Sequence, residues 1–161
     1  MKRQIRCSVF ETNSSSMHSI TLGHRGLKEN AMMIEDDGYI HAKFGEFGWE
    51  IESYDSQRDK LSYLLTMAMH KNGFYIYYSD TEEIEREIEE FMNTDDFDRI
   101  SRAIGDYANC NGVIMDYSEG YIDHQSHEDY RTLDDFLDDC GTDIIGFVFG
   151  DVTVNTDNDN H

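Results

Sequence analysis

Apolar positions repeat with the helical period in four stretches of this chain. Leu61, Leu64, Leu65 and Ala68 recur at i, i+3, i+4 and i+7 between Ser56 and Lys71, and Asn72-Gly73 supplies a stop. Asp80 or Thr81 caps a second helix that buries Ile84, Ile88 and Phe91 and turns Glu82, Glu85, Glu89 and Glu90 outward. Thr94 or Asp95 caps a third, with Phe97, Ile100, Ile104 and Tyr107 on one face. Thr132-Leu133-Asp134-Asp135 resembles a capping box and predicts a short helix that buries Leu133, Phe136 and Leu137 and stops at Gly141.

Elsewhere the pattern shortens to strand length. Gln4 to Phe10 and Ser19 to Leu22 read as strands near the start. Met32 to Glu35 and Tyr39 to Phe44 flank Asp36-Asp37-Gly38, a hairpin signal, and Gly45 to Glu50 follows as an aromatic loop. Phe74 to Tyr78 and Val113 to Tyr117 are rich in aromatic and β-branched residues. Ile144 to Phe149 is almost continuously apolar and predicts a strand covered on both faces, which Val152 and Val154 extend. Strands gather at both ends and helices in the middle. The expected fold is therefore α+β, a mainly antiparallel sheet of N- and C-terminal strands with about four helices. We expect a single domain over residues 1–154 and a polar tail over 155–161.

Composition narrows the function. With 39% hydrophobic residues in 161 the chain can bury a proper core, and it has no proline, so turns rest on Gly, Asn and Asp. No apolar run nears the ~20 residues of a membrane span, so no membrane partner is expected. Cys7, Cys110 and Cys140 are odd in number and lack C-x-x-C spacing, and the opening Met-Lys-Arg lacks the apolar stretch of a signal peptide. A cytoplasmic, reducing setting is expected. The net charge of −21 repels nucleic-acid backbones, so no direct nucleic-acid contact is expected either. The charge is uneven: residues 1–30 hold five basic and two acidic residues, the rest eight basic and 32 acidic.

Inside that basic stretch lies the densest polar segment, Ser8 to Ser19. Asn13, Ser14, Ser15 and Ser16 bring hydroxyl and amide groups beside His18, a set that can wrap a phosphate or carboxylate. Arg6, with Arg3 or Arg25, can add a bidentate contact. Asp123-His124 offers a second polar anchor that can close the site. His124 and His127 stand three apart, yet without a helix this spacing does not make them converge, and no metal or cofactor is expected. The Asp/Asn-rich Asn155 to Asn160 lacks the glycine and closing Glu of a calcium loop. No Gly-x-Ser-x-Gly elbow occurs, and no catalytic residue is assigned.

Several of these segments together resemble a family of small uncharacterised proteins from bacteriophages and Gram-positive bacteria. The resemblance rests on Arg6 to Ser19, above all Ser8-Val9-Phe10-Glu11-Thr12-Asn13-Ser14-Ser15-Ser16-Met17-His18-Ser19. Phe44 to Glu50, Lys60 to Leu64, Gly120 to Ser126 and Asp157 to Asn160 extend it over most of the chain. What the resemblance implies is a phage-type accessory product acting in the bacterial host cytoplasm to counter or modulate host defence. The leading expectation is a binding protein that takes an anionic small molecule, such as a nucleotide, on Asn13 to His18. One alternative is an acidic nucleic-acid mimic that blocks a basic host protein or nuclease with its Glu- and Asp-rich helix faces. Another is a hydrolase or transferase assisted by His18 or His124.

Overall fold

Ser56 caps α1 (Gln57–Lys71), the helix around which the molecule is built, by accepting the Asp59 N–H on its side-chain oxygen. The computed structural model describes residues 3–7, 16–48, 52–76, 79–122 and 132–158, with the backbone alone at 3–7, 16–18, 157 and 158. Leu61, Leu64, Leu65 and Ala68 are buried as their spacing predicts, but so are Lys60, Thr66, Met67, Met69 and His70. A helix covered on nearly every side is a central element rather than a surface one. Tyr63 brings its ring to 6.2 Å from Phe136 and 6.3 Å from Phe147, joining α1 to the two helices near the C-terminus.

The other predicted helices form where their caps stand. Asp80 opens α2 (Thr81–Met92), Thr94 opens α3 (Asp95–Ala108) and Thr132 opens α4 (Leu133–Cys140), each side chain accepting a backbone N–H of the first turn. Asn109 and Gly141 end α3 and α4 in the left-handed conformation.

The fold is α+β, and its antiparallel sheet joins the two ends of the chain. β1 (Arg3–Cys7), β2 (Ser16–Leu22), β8 (Val152–Asn158) and β5 (Glu52–Tyr54) lie in the order β1-β2-β8-β5. Ile20 pairs with Ile5 on one side and Val154 on the other. β8 continues through Asn158, so the polar letters assigned to a tail from residue 155 enter the sheet. Ser16 pairs with Asn158, and Asn155 donates a side-chain N–H to Thr21 Oγ1 at 3.1 Å. Partners along β2 outweigh composition here.

Two segments depart from their expected form. Ile144–Phe149 is a helix, α5, not a strand: the Asp143 carboxylate accepts the Gly146 N–H at 2.7 Å and starts it. A six-residue apolar run is compatible with either form, and the cap decides between them. Its far end is held by Lys60, only 1% exposed, whose Nζ donates to the Gly150 carbonyl at 2.9 Å. Burial, with the nearby Lys28 charge second, lowers the Lys60 ammonium to about 8. Phe74 to Ile76 makes no ladder; Ile76 is buried and its carbonyl accepts the Gly120 N–H at 3.0 Å, while residues 77 and 78 lie outside the described residues.

A pair of short parallel ladders completes the frame. β3 (Ile40–Ala42) pairs with β6 (Val113–Met115), and β4 (Glu46–Phe47) with β7 (Tyr121–Ile122). Residues 32–35 form no strand beside β3, although the Glu35 N–H donates to the Tyr39 carbonyl at 2.9 Å. The turn predicted at Asp36-Asp37-Gly38 does form, with Gly38 at φ +85° donating to the Glu35 carbonyl. No helix among the described residues is long and apolar enough to cross a membrane.

Candidate functional site

Between the two parallel ladders the backbones part, and side-chain hydroxyls replace the missing ladder partners. Ser118 Oγ accepts the Phe44 N–H at 2.9 Å, and Thr66 Oγ1 accepts the Gly45 N–H at 3.1 Å. Ser62 Oγ donates to the Lys43 carbonyl at 2.8 Å. These three backbone groups at the break are thus met from α1 or from the loop after β6. Gly45 is required for this approach, because a Cβ there would stand 2.7 Å from the Phe47 ring and 3.0 Å from Ser62 Oγ.

The break opens a pocket of about 380 Å3 between β3, β4, β5 and the first turns of α1. Phe44, Phe47, Tyr54 and Leu61 give it apolar walls. Phe47 is fixed edge-on between Tyr54 at 5.1 Å and Tyr63 at 5.0 Å. Lys43 and Arg58 also line the pocket, and among the described residues neither pairs with a carboxylate. Tyr54 donates its hydroxyl to the Glu52 carboxylate on the same strand.

One wall carries His41, clasped at both ring nitrogens. Its Nε2 lies 2.8 Å from Asp37 Oδ2 and its Nδ1 2.8 Å from Asp116 Oδ1. Local chemistry aims both carboxylates. The Asp37 side chain accepts the Tyr39 N–H within the turn, and Asp116 is fixed by its own N–H donating to the Ala42 carbonyl at 2.8 Å. The hydrogen bond to Asp37, then that to Asp116, raises the imidazole above its ordinary 6.5. The same bond from His41, with the Tyr39 N–H next, lowers the Asp37 carboxyl. With a carboxylate on each ring nitrogen, His41 fastens two segments and has both nitrogens engaged.

None of the candidate site residues singled out in the sequence is among the described residues that line this pocket. Asn13, Ser14, Ser15, Asp123 and His124 lie outside the described residues. Ser16 and His18 stand on β2 opposite Asn158 and Thr156, and Arg6 stands on β1 opposite Ser19. The register therefore brings Arg6, His18 and the Asp/Asn-rich end of the chain to one end of the sheet. His18 and Glu52 flank Thr156 from either side, a backbone separation of roughly 10 Å at ~4.8 Å per strand. Tyr54 of the pocket is two residues further along that same edge strand.

The pocket residues His41, Asp37, Asp116, Lys43 and Arg58 were passed over in the sequence. Asp37 and His41, four apart around an Asp-Asp-Gly turn, are a readable local signal; Asp116 is 75 residues away from His41 and comes only with the fold. Among the described residues no group of three His, Cys, Asp or Glu side chains is arranged to hold a metal ion. No family model, no curated protein and no solved structure matches the chain.

Proposed function

We propose that this chain is a binding protein that holds a small anionic molecule of nucleotide size in the pocket beside His41. The carrying observation is that Lys43 and Arg58 line one aromatic-walled pocket, together with Glu46, Asp59 and the Asp116 engaged by His41, in a chain whose acidic residues outnumber basic ones 34 to 13. Two cations without carboxylate partners suit a phosphate or carboxylate, and Phe47 and Tyr54 suit a planar ring. The volume stands near the lower end of the ~300–1,000 Å3 of small-molecule sites. His41, occupied at both nitrogens, supports binding rather than turnover. A phage-type accessory protein, as the resemblance suggests, would use such a pocket to sequester its ligand.

Calorimetric titration with nucleoside monophosphates tests this reading. Lys43→Ala/Arg58→Ala is expected to weaken binding by about tenfold to a hundredfold, the loss of one or two charge-assisted hydrogen bonds. Ser15→Ala/His18→Ala is expected to leave it within about twofold. The reverse pattern would return the site to the serine-rich segment and sink the pocket reading.

A further inference from the structure

We propose that the groove between α3, α4 and α5 docks a basic protein segment, one that seats an apolar side chain between flanking lysines or arginines. The groove encloses about 260 Å3 and is separate from the pocket beside His41. Its floor is apolar: Ala103 from α3, Leu137 from α4, and Ile144 and Ile145 from α5. Its rim is Asp134, Asp138 and Asp143, all exposed.

The one cation in the lining, Arg99, is already engaged. It reaches Asp134 at 2.6 Å and Asp96 at 3.3 Å, which leaves the rim negative. Asp143 also caps α5, accepting the Gly146 N–H. Asp138 and Asp139 sit in the last turn of α4, which holds no basic residue. Of the two, Asp138 lines the groove, and its carboxylate faces the negative end of the helix dipole. A cationic partner would offset that repulsion.

Charge complementarity selects the occupant. Nucleic acid and anionic lipid carry the wrong sign for this rim. A purely ionic partner would leave the apolar floor in water, whereas an apolar anchor ringed by basic residues satisfies floor and rim together.

The test is fluorescence anisotropy with a labelled peptide of alternating Leu and Lys, titrated with the full chain. Asp138→Lys is expected to weaken binding about tenfold, while Glu85→Lys, the same charge change on the outer face of α2, changes it less than about twofold. Ile145→Glu is the sharper variant, because added negative charge strengthens any unspecific attraction and only loss of the floor weakens binding. It too is expected to cost about tenfold, with Ile145→Ser replacing it should thermal melting show a folding defect. Equal losses from Glu85→Lys and Asp138→Lys, or undiminished binding by the Ile145 variants, would overturn the proposal. So would a concentration-dependent dimer abolished by Leu27→Asp, which would assign the groove to the exposed His24 to Lys28 stretch of a second copy.

Discussion

At the pocket wall, Asp37 and Asp116 close on the two nitrogens of His41; along α4, Asp134, Asp135, Asp138 and Asp139 crowd one short helix, with Arg99 reaching the first of them. Both regions are acidic, yet their carboxylates do different things. Those beside His41 tie a turn to the end of a strand far away in sequence. On α4, Asp134 and Asp135 stand in the first turn, where the helix dipole favours them, whereas Asp138 lies in the last turn against the dipole and four residues after Asp134. Carboxylates matched by an internal cation serve architecture. Carboxylates left in excess on an apolar-floored groove face outward, to a partner.

Three substitutions probe that contrast. The largest effect is expected from Phe47→Ala, which removes a buried ring from between Tyr54 and Tyr63. It should cost about 3–5 kcal/mol in urea unfolding and abolish ligand binding, while peptide binding at the α4 groove persists in native buffer. A loss of stability below about 1 kcal/mol would show that the pocket walls do not support the fold.

Next is His41→Ala, expected to lower the urea midpoint with a pH signature. Asp37, lowered from its ordinary 3.8, contributes above that value and loses its contribution as pH falls through its folded pKa. His41, raised from 6.5, contributes fully below 6.5 and loses its contribution as pH rises through its folded pKa. The gap between parent and variant should thus be widest between pH 4 and 6.5 and narrow on both sides. A gap independent of pH would mean that the imidazole acts by packing alone.

The smallest effect has the opposite sign. Asp138→Ala should stabilise by about 0.3–1 kcal/mol, by removing charge from the end of α4 and repulsion from Asp134 four residues before it. Destabilisation would place Asp138 among the architectural carboxylates and dissolve the contrast.

How far these regions were legible follows from the range of the interactions that make them. Ser56, Asp80, Thr94 and Thr132 act on the N–H groups of their own first turns, so the starts of α1 to α4 were readable residue by residue. The pairing of β3 with β6 crosses the whole α1–α3 segment, and no local pattern announces that a strand after an Asp-Asp-Gly turn will run parallel to so distant a partner. His41 was missed for the same reason, since the second half of its clasp arrives from Asp116. The serine-rich segment drew notice by composition, whereas the pocket is assembled from ordinary letters: one lysine, one arginine and three aromatic rings.

The misread segment, Ile-Ile-Gly-Phe-Val-Phe, has a further meaning. Six uncharged residues dominated by strand formers, without proline, match the signature of a steric zipper. In the native molecule they are sequestered as α5, tethered by Asp143 at one end and by Lys60 at the other. Asp143 and Asp151 bracket them as gatekeepers in any opened chain, and the strong net negative charge holds such chains apart. Both safeguards are carboxylates, so both depend on the same negative charge. A helix in the folded molecule is thus, in an opened chain, the segment most in need of those two guards.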